Sequence, residues 1–140
     1  MQQHKIEVSE RFAPWIDKAV AEGFSTYNRP YAGPSQREPF ALTVCSKDGS
    51  LLGALEAGLF FDWLYINRVF VADGDRSSGI GTQLMEKVHE LALERGATGA
   101  YLNTYDFQAR GFYEKLGYTV FGTLENAPKG HQRFFMQKVF

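Results

Sequence analysis

The chain has 140 residues and a mass of 15.8 kDa, with 44% hydrophobic and 22% charged residues, the size and balance of one folded domain with its own core. The formal net charge of −1 argues against electrostatic binding of nucleic acid. No apolar run reaches the ~18 residues of a membrane span, MQQHKIEVSERF lacks a signal-peptide core, and a lone cysteine, Cys45, permits no intrachain disulfide, so a reducing cytoplasm is expected.

Phe12, Trp15, Ile16, Ala19 and Val20 fall at helical spacing and predict a first helix from about Ser9 to Glu22, stopped by Gly23. Residues 24–39 hold three prolines and two tyrosines and read as a long loop, a common place for function. Two β-rich runs then flank Asp48-Gly49, a strong hairpin signal, with Cys45 expected as a small buried residue. WLYINRVFVAD reads as a third antiparallel strand. Strict alternation puts Leu64, Ile66, Arg68 and Phe70 on one face and Tyr65, Asn67, Val69 and Val71 on the other.

The period then changes. Ile80, Leu84, Val88, Leu91 and Ala92 form the apolar stripe of a helix that closes at Arg95-Gly96, with His89 reading as exposed. TGAYLNT is a strand, a helix follows from about Gln108 to Leu116 and ends at Gly117, and YTVFGTL and HQRFFMQKVF are strands joined by ENAPKG. That order predicts an α/β fold, a mixed sheet with helices on its faces.

The most informative stretch is VFVADGDRSSGIGTQLM, where a strand gives way to a Gly/Ser-rich turn and a long helix. Helix N-termini expose unpaired N–H groups and the positive end of the macrodipole, which suits an anion. Gly79 and Gly81 lack a Cβ and allow close approach to the backbone, and Arg76 adds a fixed positive charge. A nucleotide-binding P-loop is disfavoured because Ile80-Gly81 stand where Lys and Ser/Thr belong. A dinucleotide fingerprint is excluded because Leu84 occupies its third glycine and the acid expected about 20 residues on is missing.

Arg76-x-x-Gly79-x-Gly81 at a helix start, after an aliphatic antiparallel strand, resembles the pyrophosphate signature of the GNAT superfamily of acyl-CoA-dependent N-acetyltransferases. Downstream, Asp106-Phe-Gln-Ala109-Arg-Gly-Phe112-Tyr113-Glu-Lys-Leu-Gly117-Tyr118 is similar to that superfamily's second motif. Together the two cover about residues 40–140. The resemblance implies a mixed, mostly antiparallel sheet with helices on both faces and a splayed central strand pair. It implies acetyl-CoA as co-substrate and direct attack by a primary amine, a small-molecule or peptide acceptor, in a ternary complex. Members of that family are often homodimers, while the charge and the short apolar runs argue against nucleic acid or membrane as partner.

The resemblance assigns backbone groups of Val69, Phe70 and Val71 to pantetheine and to polarising the thioester carbonyl. Arg76, Ser77, Gly79, Ile80, Gly81 and Thr82 would hold the pyrophosphate. Asp106 stands where the family often has asparagine, and would either touch the cofactor or cap the following helix. Tyr113 would meet the departing sulfur; an ordinary tyrosine near ~10 and a thiol near ~8.5 make full proton transfer mildly uphill. The position where parts of the family carry a basic glutamate is Tyr65 here, which leaves Glu56 and Asp62 as the nearest acids. Phe24, Tyr27 and Tyr31 are expected on one side of the acceptor site and the ENAPKGH loop on the other. The reading from another class is an acyl-CoA sensor without turnover, favoured by the absent carboxylate at Tyr65. Competition between ATP and CoA would settle the disfavoured nucleotide-binding reading.

Overall fold

The computed structural model describes residues 3–34, 37–75 and 78–140. The chain forms two compact units, one ending at Ser35 and one beginning at Gln36. The first carries one helix, α1 (Pro14–Ala32). It starts at a proline whose missing N–H costs nothing there. It continues through Gly23, where a single interior glycine costs only about 1 kcal/mol. It ends at Gly33, whose φ of 71° is open to glycine and whose N–H donates to the Arg29 carbonyl at 3.0 Å. The expected stop at Gly23 and loop over 24–39 are therefore corrected: Phe24, Tyr27 and Tyr31 lie on α1.

The second unit is a six-stranded sheet carrying two helices. Its elements are β1 (Glu38–Cys45), β2 (Leu51–Phe60), β3 (Trp63–Val71), α2 (Ile80–Glu94), β4 (Gly99–Tyr105), α3 (Arg110–Lys115), β5 (Thr119–Glu125) and β6 (Gln132–Val139). The strand order is β1-β2-β3-β4-β6-β5, antiparallel except for β3 and β4. The β1–β2 turn falls at Asp48-Gly49 as expected, with Gly49 at φ 89°.

Strict alternation fails on β3. Glu56 pairs with Arg68 but Ala57 pairs with Ile66, so Asn67 is an extra residue, a β-bulge. The bulge shifts the phase by one. Leu64, Ile66, Val69 and Val71 all turn to the core, and Arg68 and Phe70 turn out. The core lies between that face and the apolar stripe of α2, where Leu84, Met85, Val88 and Ala92 are buried, and is closed by Tyr113 and Tyr118. His89 is not exposed: its Nε2 lies 2.6 Å from the Tyr118 hydroxyl and its ring meets Phe140 edge-on. Cys45, at the irregular end of β1, is exposed rather than buried. No helix among the described residues is long and apolar enough to cross a membrane.

Candidate active site

The parallel pair β3–β4 is joined at only three positions, Trp63↔Gly99, Leu64↔Ala100 and Tyr65↔Tyr101. Beyond Tyr65 the strands part. β3 stays bonded to β2 as far as Val71, and β4 stays bonded to β6 as far as Tyr105. The bulge at Asn67 adds twist where the parting begins. The result is a cleft of about 1040 Å³ that opens through the sheet, the size of a ligand site. Val69, Phe70 and Val71 form one wall, Asn103 and Thr104 the other, and Tyr113 closes part of it.

The N-terminus of α2 follows the end of β3. Gly79 is its N-cap at φ 88°, in the left-handed region that favours glycine. The Gln83 N–H is the first to bond within the helix, to the Gly79 carbonyl at 3.0 Å. The N–H groups of Ile80, Gly81 and Thr82 therefore have no intrahelical acceptor, the arrangement that binds phosphate. Ile80 itself is buried and anchors the turn. Gly81 serves packing, since a Cβ there would sit 3.3 Å from Phe112 and 3.6 Å from Val71. Arg76 and Ser77 lie outside the described residues.

Tyr113, on α3, is 8% exposed, and burial pushes its hydroxyl up to about 12. The register of its helix is held from β4. The Thr104 hydroxyl, almost fully buried, accepts from the Ala109 N–H at 3.3 Å, and Gln108 Oε1 accepts from the Tyr105 N–H at 3.1 Å.

A split parallel pair, a helix N-terminus at its open end and a buried tyrosine lining the gap thus stand together on one cleft. The acetyltransferase (GNAT) family model matches residues 2–118. The chain belongs to the GNAT acetyltransferase family. Acetyltransferase Atu2258 of Agrobacterium fabrum is 31% identical over 124 residues, 89% of this chain and 90% of that one. Blasticidin-S acetyltransferase of Streptomyces morookaense is 33% identical over 94 residues, 66% of this chain and 69% of that one. The crystal structure of an acetyltransferase from Bacillus cereus superposes with a TM-score of 0.83 at 28% identity, covering 96% of this chain and 98% of the other. As a GNAT enzyme the chain is an acyltransferase with acetyl-CoA as co-substrate.

Within this GNAT cleft the two acids considered as bases separate. Glu56 lines the cleft from β2, where its Oε1 accepts from Arg68 Nη2 at 3.2 Å. Asp62 does not line it. It sits in the β2–β3 turn at φ 68°, its carbonyl accepting from the Thr98 N–H at 2.8 Å. That is the paired end of β3, roughly 20 Å along the strand from Val69. Asp62 is therefore corrected to a turn residue.

Asp106 is also redirected. Its Oδ1 lies 2.9 Å from His131 Nδ1 and its Oδ2 accepts from the Gln132 N–H at 2.9 Å. The Gln132 N–H first, and then His131, hold its carboxyl below the usual range. It neither lines the cleft nor caps α3, whose N-cap Ala109 has no side-chain bond. It ties the β4–α3 turn to the start of β6, with His131 an exposed residue of the loop before that strand. Two contributors escaped the sequence reading. Gly53 is buried beneath the first turn of α2, and a Cβ there would meet Ile80 Cγ2 at 2.6 Å. Asn103, on the far wall, links Tyr65 to Arg133; only strand pairing brings those three together.

Proposed function

We propose that this chain moves an acetyl group from acetyl-CoA to a primary amine by direct attack in a ternary complex, as a single acetyltransferase domain. The observation that carries the reading is the opening of β3 from β4 beyond Tyr65, beside the N-terminus of α2.

The edge of β3 that turns from β2 toward the gap bonds no strand beyond Tyr65. Backbone groups of Val69, Phe70 and Val71 on that edge bond the pantetheine arm, and one N–H polarises the thioester carbonyl as charge develops on its oxygen. The N–H groups of Gly79, Ile80, Gly81 and Thr82 hold the pyrophosphate, joined, on the sequence motif alone, by Arg76 and Ser77.

A protonated primary amine cannot attack. With an ordinary alkylamine near ~10.4, a base must take its proton at pH 7. Glu56 is the carboxylate that faces the cleft, and it accepts that proton through a water molecule. Tyr113 donates a hydrogen bond to the departing sulfur. Its hydroxyl, at about 12, is too weak an acid to protonate an ordinary thiolate outright.

The acceptor is read as a small amine. Support comes from the Streptomyces relative, which is named for acetylating blasticidin S. A panel of amines with acetyl-CoA, read as free thiol, tests the function. Amine-dependent thiol release is expected. Binding of acetyl-CoA with no release for any amine would instead mark a sensor, and displacement of CoA by ATP would point to a nucleotide site.

A further inference from the structure

On the outer face of the sheet, next to the cleft, stands a fixed arginine with no acid partner among the described residues. Arg133 Nε donates to Asn103 Oδ1 at 2.9 Å, and its guanidinium lies 5.5 Å from the Tyr105 ring centre and 5.3 Å from that of Phe135. The nearby carboxylates are engaged elsewhere. Asp106 bonds His131 and the Gln132 N–H, and Glu125 accepts from Gln132 Nε2 at 2.9 Å. Among the described residues Arg133 forms no ion pair.

The hydrogen-bond directions follow from elementary chemistry. Arginine only donates, so Asn103 must present its oxygen to Arg133. Its amide N–H is then left for the Tyr65 hydroxyl, which accepts at 3.2 Å. Tyr65, having accepted, keeps its own O–H to give. The cluster therefore offers donors alone, the terminal N–H groups of Arg133 and the O–H of Tyr65, beside a cleft wall that Asn103 forms. A planar fork held between two rings fits a carboxylate in two-pronged fashion and loses little entropy on binding it.

We propose that this cluster binds a carboxylate of the acceptor, so that the preferred substrate is an amine with a carboxylate at the other end of its chain. The inference rests on the acetyltransferase reading above. The length follows from the strands. Glu56, which serves the amine, is on β2, and Arg133 is on β6, three strand spacings away, or roughly 14 Å between backbones before the splay is added. An α-amino group beside its own carboxylate cannot reach both walls, whereas an ω-amino acid can.

The test compares 6-aminohexanoate with n-hexylamine, which differ in the carboxylate alone. Turnover is read as free thiol from acetyl-CoA, and binding by calorimetry in the presence of CoA. For the unaltered protein, kcat/KM should favour 6-aminohexanoate by roughly 10- to 100-fold, the range for charged hydrogen bonds. Arg133→Gln should bring the ratio close to one, and Tyr65→Phe, which keeps the ring, should lower it in part. Equal kcat/KM for the two amines, binding of neither, or a preference that survives Arg133→Gln would overturn the proposal. If Arg133→Gln does not fold, the comparison in the unaltered protein and in Tyr65→Phe still decides. Failure to bind CoA at all would instead refute the underlying acetyltransferase reading.

Discussion

Replacing Tyr113 by phenylalanine removes one oxygen and leaves the ring. That ring is 8% exposed and packs 5.1 Å from Phe112 and 6.0 Å from Tyr118, centre to centre. No other side chain among the described residues bonds the Tyr113 hydroxyl, so its loss orphans no partner. Stability should change by less than about 1 kcal/mol, or within about 4 °C in Tm. CoA affinity should hold, because the hydroxyl acts where negative charge develops on sulfur. Burial raises the hydroxyl to about 12. Handing its proton to a thiolate near ~8.5 would then run about 5 kcal/mol uphill. What remains is a hydrogen bond to a charged acceptor, about 1.5–3 kcal/mol, so kcat should fall roughly 10- to 150-fold. Steady-state kcat from free-thiol release, with calorimetric CoA binding alongside, reads both quantities. The loss should grow with poorer leaving thiols and shrink with activated thioesters. A kcat within about twofold of the unaltered protein would return Tyr113 to a core aromatic. A loss beyond about 10³-fold would mean that it does transfer its proton, against the raised value.

Gly53→Val should cost about 1–3 kcal/mol and weaken CoA binding, since the added Cβ would meet Ile80 Cγ2 at 2.6 Å and displace the start of α2; an unchanged melting temperature and CoA affinity would defeat that account. Asp62→Asn should leave kcat and KM as they were, while Glu56→Gln should lower kcat at least ~10-fold at neutral pH, as loss of a general base does. The reverse pattern in steady-state kinetics would undo the placement of both. His89 is held at about 4, chiefly by burial and then by Lys138, so between there and its ordinary ~6.5 the unfolded chain binds the extra proton. Stability present above ~6.5 should therefore drain away as pH falls through about 4, and melting curves of His89→Gln should show a shallower acid slope than the unaltered protein. Equal slopes would sink this reading.

The order of elements, the hairpin at Asp48-Gly49, the helix start at Gly79 and the register of Tyr113 ahead of Gly117 were all legible in the chain. Each rests on local physics, the period of a strand or helix and the few backbone shapes open to glycine. The candidate site was legible only as motifs: the turn before α2 and the tyrosine on α3 are short patterns whose parts are close in sequence, and their roles remain proposals. Tertiary structure decided the rest, because pairing between distant strands has no local signature. The bulge at Asn67 exists only relative to β2, and it moves Val69 and Val71 to the core against simple alternation. Pairing at only three positions sets where β3 and β4 part, and therefore which acid faces the gap, Glu56 rather than Asp62. Asp106 found its partners 25 and 26 residues away. Gly23 lost its role as a helix stop because an interior glycine costs too little to end a helix by itself. Arg133 meets Asn103 only because β6 inserts between β4 and β5. Periodicity tells a residue which way to face along its own element. Which element lies opposite is set by burial and hydrogen bonding summed over the whole sheet.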